Sequence, residues 1–110
     1  MNHQRRKDID AAIKNVEELK ARFEAFLEQL SSLKDEAQEA HDAAERIRDE
    51  EQDYMDNMPE SLQGSERYYT AEAAVSQLDE AMERLSEVAD LELEVPDLDD
   101  VITALDAAKE

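Results

Sequence analysis

The side chains with the most evident chemical capacity are two histidines, His3 and His41, set among 31 carboxylates. A helical di-iron site needs Glu and His at i and i+3, in two copies. Here Gln38 stands three residues before His41, and no second copy occurs. His41 therefore reads as a tolerated surface residue beside a helical seam, and His3 as part of a frayed terminus. Asp97, Asp99 and Asp100 have the opening spacing of a calcium loop, but no glycine follows at the turn and no glutamate closes it. Asp97 fits a helix cap better. Gly64 is the single glycine, so a phosphate-cradling loop is absent. With no cysteine, a disulfide framework and a thiolate metal site are excluded. The expectation is a protein that is not an enzyme, with no catalytic residues, no cofactor and no metal.

What remains is charge. Acidic residues outnumber basic ones 31 to 12, a formal net charge of −19 over 110 residues. Residues 1–34 carry 7 basic and 6 acidic groups, Arg5, Arg6 and Lys7 among them, whereas residues 35–110 carry 5 basic and 25 acidic ones. One arm bears Asp35, Glu36, Glu39, Asp42, Glu45, Asp49, Glu50, Asp53 and Asp56. A second bears Glu66, Glu72, Asp79, Glu80, Glu83, Glu87 and Asp90. Carboxylates three and four residues apart on a helix stand about 5–6 Å from each other, a spacing similar to that of phosphates along a nucleic-acid strand. Such a surface repels DNA, RNA and anionic membranes and attracts grooves lined by Lys and Arg. Two readings follow: a nucleic-acid mimic that occupies a basic protein surface, or a solvated acidic exterior.

The elements that would hold these carboxylates are helices. From Ile9 an apolar residue recurs every seven: Ile9, Val16, Phe23, Leu30, Ala37 and Ala44, interrupted at Glu51 and resumed at Met58. A second row, three residues later, holds Ala12, Leu19, Phe26, Leu33, Ala40, Ile47 and Tyr54. This period predicts a coiled-coil-like helix from about residue 8 to 57, with a possible kink at Ser31-Ser32. Pro59 and Gly64 mark a loop over 58–65, and Ser65 is a suitable cap. A second helix over about 66–89 has the seam Tyr68, Ala71, Val75, Leu78, Met82, Leu85 and Ala89, widened on one side by Ala74, Ala81 and Val88. A short loop between long helices makes them antiparallel neighbours. This places Leu78 near Ile47 and Ala44, and Leu85 near Ala40 and Ala37. An extended strap over 90–97 leads to a short helix over about 98–108, expected near Phe23, Phe26 and Leu27.

The fold class is thus all-α, a long antiparallel helical hairpin plus a short carboxy-terminal helix in a single domain over 1–110. Ile9, Ile13, Val16, Leu19, Phe23 and Phe26 form a bulky stripe that the short helix only partly covers. They are expected to form a homodimer interface; a carboxy-terminal segment folded further back would instead complete a monomeric three-helix bundle. No apolar run suits a membrane span or a signal peptide, so a cytoplasmic location is expected.

The stretch Asp49 to Leu85 contains Glu50-Glu51-Gln52, then Asp56-Asn57-Met58-Pro59-Glu60-Ser61-Leu62-Gln63, then Ser65-Glu66-Arg67. It resembles a pattern of small uncharacterised acidic helical proteins of phages and other mobile elements, over about a third of the chain. The resemblance brings no activity with it. It implies an accessory protein in a bacterial host, a class that includes inhibitors of CRISPR or restriction systems. The alternative is a scaffold or adaptor whose partner recognises the 56–69 region, with Tyr54, Tyr68 and Tyr69, by shape.

Overall fold

The computed structural model describes residues 2–109. Among them are three α-helices, α1 (His3–Asp56), α2 (Glu66–Ala89) and α3 (Leu98–Ala107), and a single 3-10 turn at Glu60–Leu62. No strand occurs among the described residues. None of these helices is long and apolar enough to cross a membrane. The contacts divide the chain into two compact units. One unit joins Met1–Ser31 to Glu92–Glu110; the other is Ser32–Leu91.

Helix α1 begins five residues before its first expected position. The Asn2 side chain accepts a hydrogen bond from the Arg5 backbone N–H at 2.9 Å, satisfying a donor that the first turn leaves free. The apolar repeat could not reveal this start, because it first registers at Ile9. Ser31 and Ser32 remain helical.

In the Ser32–Leu91 unit, α1 and α2 form the expected hairpin. Ser65 caps α2 by accepting from the Tyr68 N–H at 3.3 Å. Gly64 takes the left-handed conformation, φ 91°, that closes the loop. Gln63 Nε2 donates to the Met58 carbonyl at 3.4 Å. Met55, Ala71 and Val75 are buried together with Tyr68 packed against them. Ala37 and Met58 are also buried.

In the other unit, α3 runs against the first turns of α1. Asp97 caps α3, accepting from the Asp99 N–H at 2.9 Å. Lys20 Nζ donates to Asp99 Oδ1, and Lys109 Nζ to Asp10 Oδ1, each at 2.8 Å. These two clamps set α3 antiparallel alongside residues 10–20, nearer the start of α1 than the expected position beside Phe23, Phe26 and Leu27. No described residue of this unit is fully buried.

The first seam row is packed as expected, but the second is not. Leu19, Phe26, Leu33, Ala40, Ile47 and Tyr54 are all exposed. Their places are taken by the row one residue later, in which Ile13, Lys20, Lys34, His41 and Arg48 are half-buried and Met55 is buried. An apolar count favours the other row. The packed row brings Lys20 to Asp99 and Arg48 to Asp79, cations against acid-rich helices. Their methylene stems cover apolar surface while the charged ends pair.

Candidate interaction surface

The Ser32–Leu91 unit carries 18 acidic against 5 basic side chains, a net −13. Every carboxylate expected to make contact is exposed: Asp35, Glu36, Glu39, Asp42, Glu45, Asp49, Glu50, Asp53 and Asp56 on α1, and Glu66, Glu72, Asp79, Glu80, Glu83, Glu87 and Asp90 on or beside α2. Seam periodicity turns them away from the hairpin's packed interface, so the two sets occupy the outward faces of two antiparallel helices. The two sets meet on one flank, where Arg48 lies between Asp49 and Asp79.

Part of this charge is already matched within the unit. Arg48 Nε donates to Asp79 Oδ1 at 2.9 Å across the hairpin, and its Nη1 to Asp49 Oδ1 at 3.1 Å. The Arg48 guanidinium is held above its usual range by Asp49 first and Asp79 second. Arg84 lies 3.4 Å from Glu87. Gln52 donates to Asp56 at 2.9 Å. Asp42 is held below the usual carboxylate value by the His41 hydrogen bond and then by Gln38, which donates at 3.0 Å. Glu51, expected as a break in the seam, is half-buried there. Asp35, Glu36, Glu39, Glu50 and Asp53 of α1 are exposed, and the ion pairs among the described residues involve none of them.

His41 is where the sequence reading fell short. It is half-buried at the seam, with Nδ1 3.2 Å from Asp42 Oδ1 and 3.8 Å from Glu45 Oε2. His41, Asp42 and Glu45 offer ligand atoms within 4.8 Å of one another. The i, i+1, i+4 spacing is visible in the sequence, and it differs from the Glu-x-x-His spacing of a di-iron site. Three side chains from one helical turn, with the imidazole already engaged by Asp42, amount to a hydrogen-bonded cluster.

At the hairpin's closed end, Tyr54, Leu62 and Tyr69 are exposed. Tyr68 and Tyr69 meet edge to face at 6.0 Å. Of the residues expected at a dimer interface, Ile9, Ile13, Val16 and Phe23 are half-buried, whereas Leu19 and Phe26 are 44% and 48% exposed. Leu19, Arg22, Phe23 and Phe26 line a shallow apolar concavity.

No protein-family model, no curated protein and no solved structure matches this chain. The surface itself therefore carries the functional argument.

Proposed function

We propose that this protein is a non-enzymatic, acidic helical interaction protein that mimics nucleic acid. Its partner is a basic, nucleic-acid-binding protein, and the chain binds no nucleic acid or membrane directly. In its concrete form it is a phage or mobile-element product acting in the cytoplasm of a bacterial host, where it inhibits a CRISPR or restriction protein. The observation that carries this reading is the unmatched carboxylate row of α1, exposed on a unit of net −13. Rows of like charges at helical spacing cost a few tenths of a kcal/mol per pair, and a basic partner offsets that cost. A homodimer belongs to the same reading, with Leu19 and Phe26 as its accessible contacts and the half-buried Ile9, Ile13, Val16 and Phe23 contributing their exposed edges.

Capture of host proteins on the full chain tests the proposal. The proteins retained at ~50 mM salt should be nucleic-acid-binding, should be displaced by duplex DNA, and should be lost by ~200 mM salt, as phosphate contacts are. Retention that ignores salt and DNA contradicts it. Light scattering of the full chain beside Leu19→Glu and Phe26→Glu tests the dimer: the substitutions should yield monomers.

A second reading rests on the closed end of the hairpin. Tyr54 and Arg67 line two adjacent concavities there, one with Glu66 and Thr70, the other with Pro59 and Leu62. A scaffold that docks its partner at 56–69 predicts little salt dependence and loss of binding on Leu62→Ala.

A further inference from the structure

Rotation of the seam leaves one flank of the Ser32–Leu91 hairpin apolar. Arg48 and Asp79 close the opposite flank. Ile47 precedes Arg48 by one residue, about 100° round α1, and Ala81 lies two residues beyond Asp79, on the other side of α2. Tyr54, last of the α1 row, and Arg67, seven residues before Ala74, line the same concavity. The two rows therefore share a flank. Counted from the Arg48–Asp79 level, Tyr54 stands beside Ala74, Ile47 beside Ala81 and Ala40 beside Val88. Ile47 and Tyr54 are 48% exposed and Val88 41%. These are three apolar layers at heptad spacing across two antiparallel helices, the surface that a further helix covers in a bundle.

We propose that this flank is a docking groove for an amphipathic helix that carries Lys or Arg beside its apolar stripe, supplied by the basic partner. Charge selects this occupant. The groove is bordered along α1 by Glu36 and Glu50 and along α2 by Arg84, and its Tyr54 end is lined by Glu51, Glu66 and Arg67, so acidic groups at the rim outnumber basic ones by four to two. A second copy would bring a net −13 against a net −13. A basic helix meets opposite charge at the rim and apolar contact at the centre. Three heptad layers span 14 residues, about 21 Å of helix, so the docked segment is about 15–18 residues long. This inference rests on the proposed basic partner and adds a salt-resistant contact to it.

The test uses the full chain and a synthetic 18-residue helix with Leu at heptad seam positions and Lys flanking them. Its control has the same composition with the Leu positions scrambled, which preserves charge. The patterned peptide should bind about tenfold more tightly than the control, and Ile47→Gln with Val88→Gln should remove that difference, a loss of about 1.4 kcal/mol. Both residues are already exposed, so circular dichroism should show an unchanged fold. Equal binding of the two peptides overturns the groove and leaves the mimic standing. Failure of both to bind at ~50 mM salt contradicts the mimic as well. Sedimentation supplies the remaining outcome: a homodimer that Ile47→Gln dissociates would show that a second copy fills the groove, and would overturn the proposal.

Discussion

The two units differ in how deeply they bury their apolar side chains. Ser32–Leu91 has buried side chains, Met55, Ala71 and Val75, at the centre of its hairpin. The unit of Met1–Ser31 and Glu92–Glu110 has no fully buried described residue, and its short helix is clamped by Lys20–Asp99 and Lys109–Asp10. Exposed ion pairs contribute little and weaken with salt, whereas buried apolar contacts do not. Buried packing can therefore sustain a net −13 in one unit, while the other rests on half-buried apolar side chains such as Ile13, Val16, Ile102 and Leu105, with the lysine–aspartate pairs as small additions.

The largest separation of the two should come from the core. Met55→Ala, 6% exposed in the parent, should cost about 2–4 kcal/mol in chemical denaturation monitored on α2, with the α3 signal following only through shared helix α1. An equal response to Lys20→Met would erase the distinction. Next comes the turn. Gly64→Ala forces a side chain into a φ of 91° and should cost about 1–2 kcal/mol, again in the hairpin.

A smaller effect concerns pH. Lys20 is held above 10.5 by its hydrogen bond and charge contact with Asp99, and Lys109 above 10.5 by Asp10 and then Asp106. A raised lysine stabilises the fold below its ordinary pKa, and that stability is lost as pH rises through the folded value. Helix signal from α3 should therefore fall above pH 10.5 while α2 persists. Replacing both lysines by arginine should abolish this step. The smallest effect should be one of opposite signs: raising salt from ~50 mM to ~1 M screens repulsion in the hairpin and protects its amides, while it loosens α3. Parallel changes in both units would break the comparison.

Much of this architecture was legible in the residues. Pro59, Gly64 and Ser65 marked the turn because each has a specific backbone role, and Asp97 marked the start of α3. The row Ile9 to Met58 fixed one edge of the seam. Its other edge was misread because both neighbouring rows of α1 are partly apolar, and hydrophobicity alone prefers Leu19, Phe26 and Ile47 to Lys20 and Arg48. The packed row carries pairings between residues remote in sequence, Arg48 with Asp79 and Lys20 with Asp99, which no local period encodes. The candidate surface was legible as exposed charge. Its partial matching by Arg48, Arg84 and His41 required the structure.

The central claim is that unmatched carboxylates of the hairpin replace phosphates on a basic protein. Measuring Kd for a captured nucleic-acid-binding partner against salt, for the parent chain and for Asp35→Asn, Glu39→Gln and Asp53→Asn combined, tests it most directly. The account predicts a steep parent slope in log Kd against log salt, reduced by about one for each carboxylate removed from the contact, by analogy with phosphate contacts. An unchanged slope in the triple variant would contradict it.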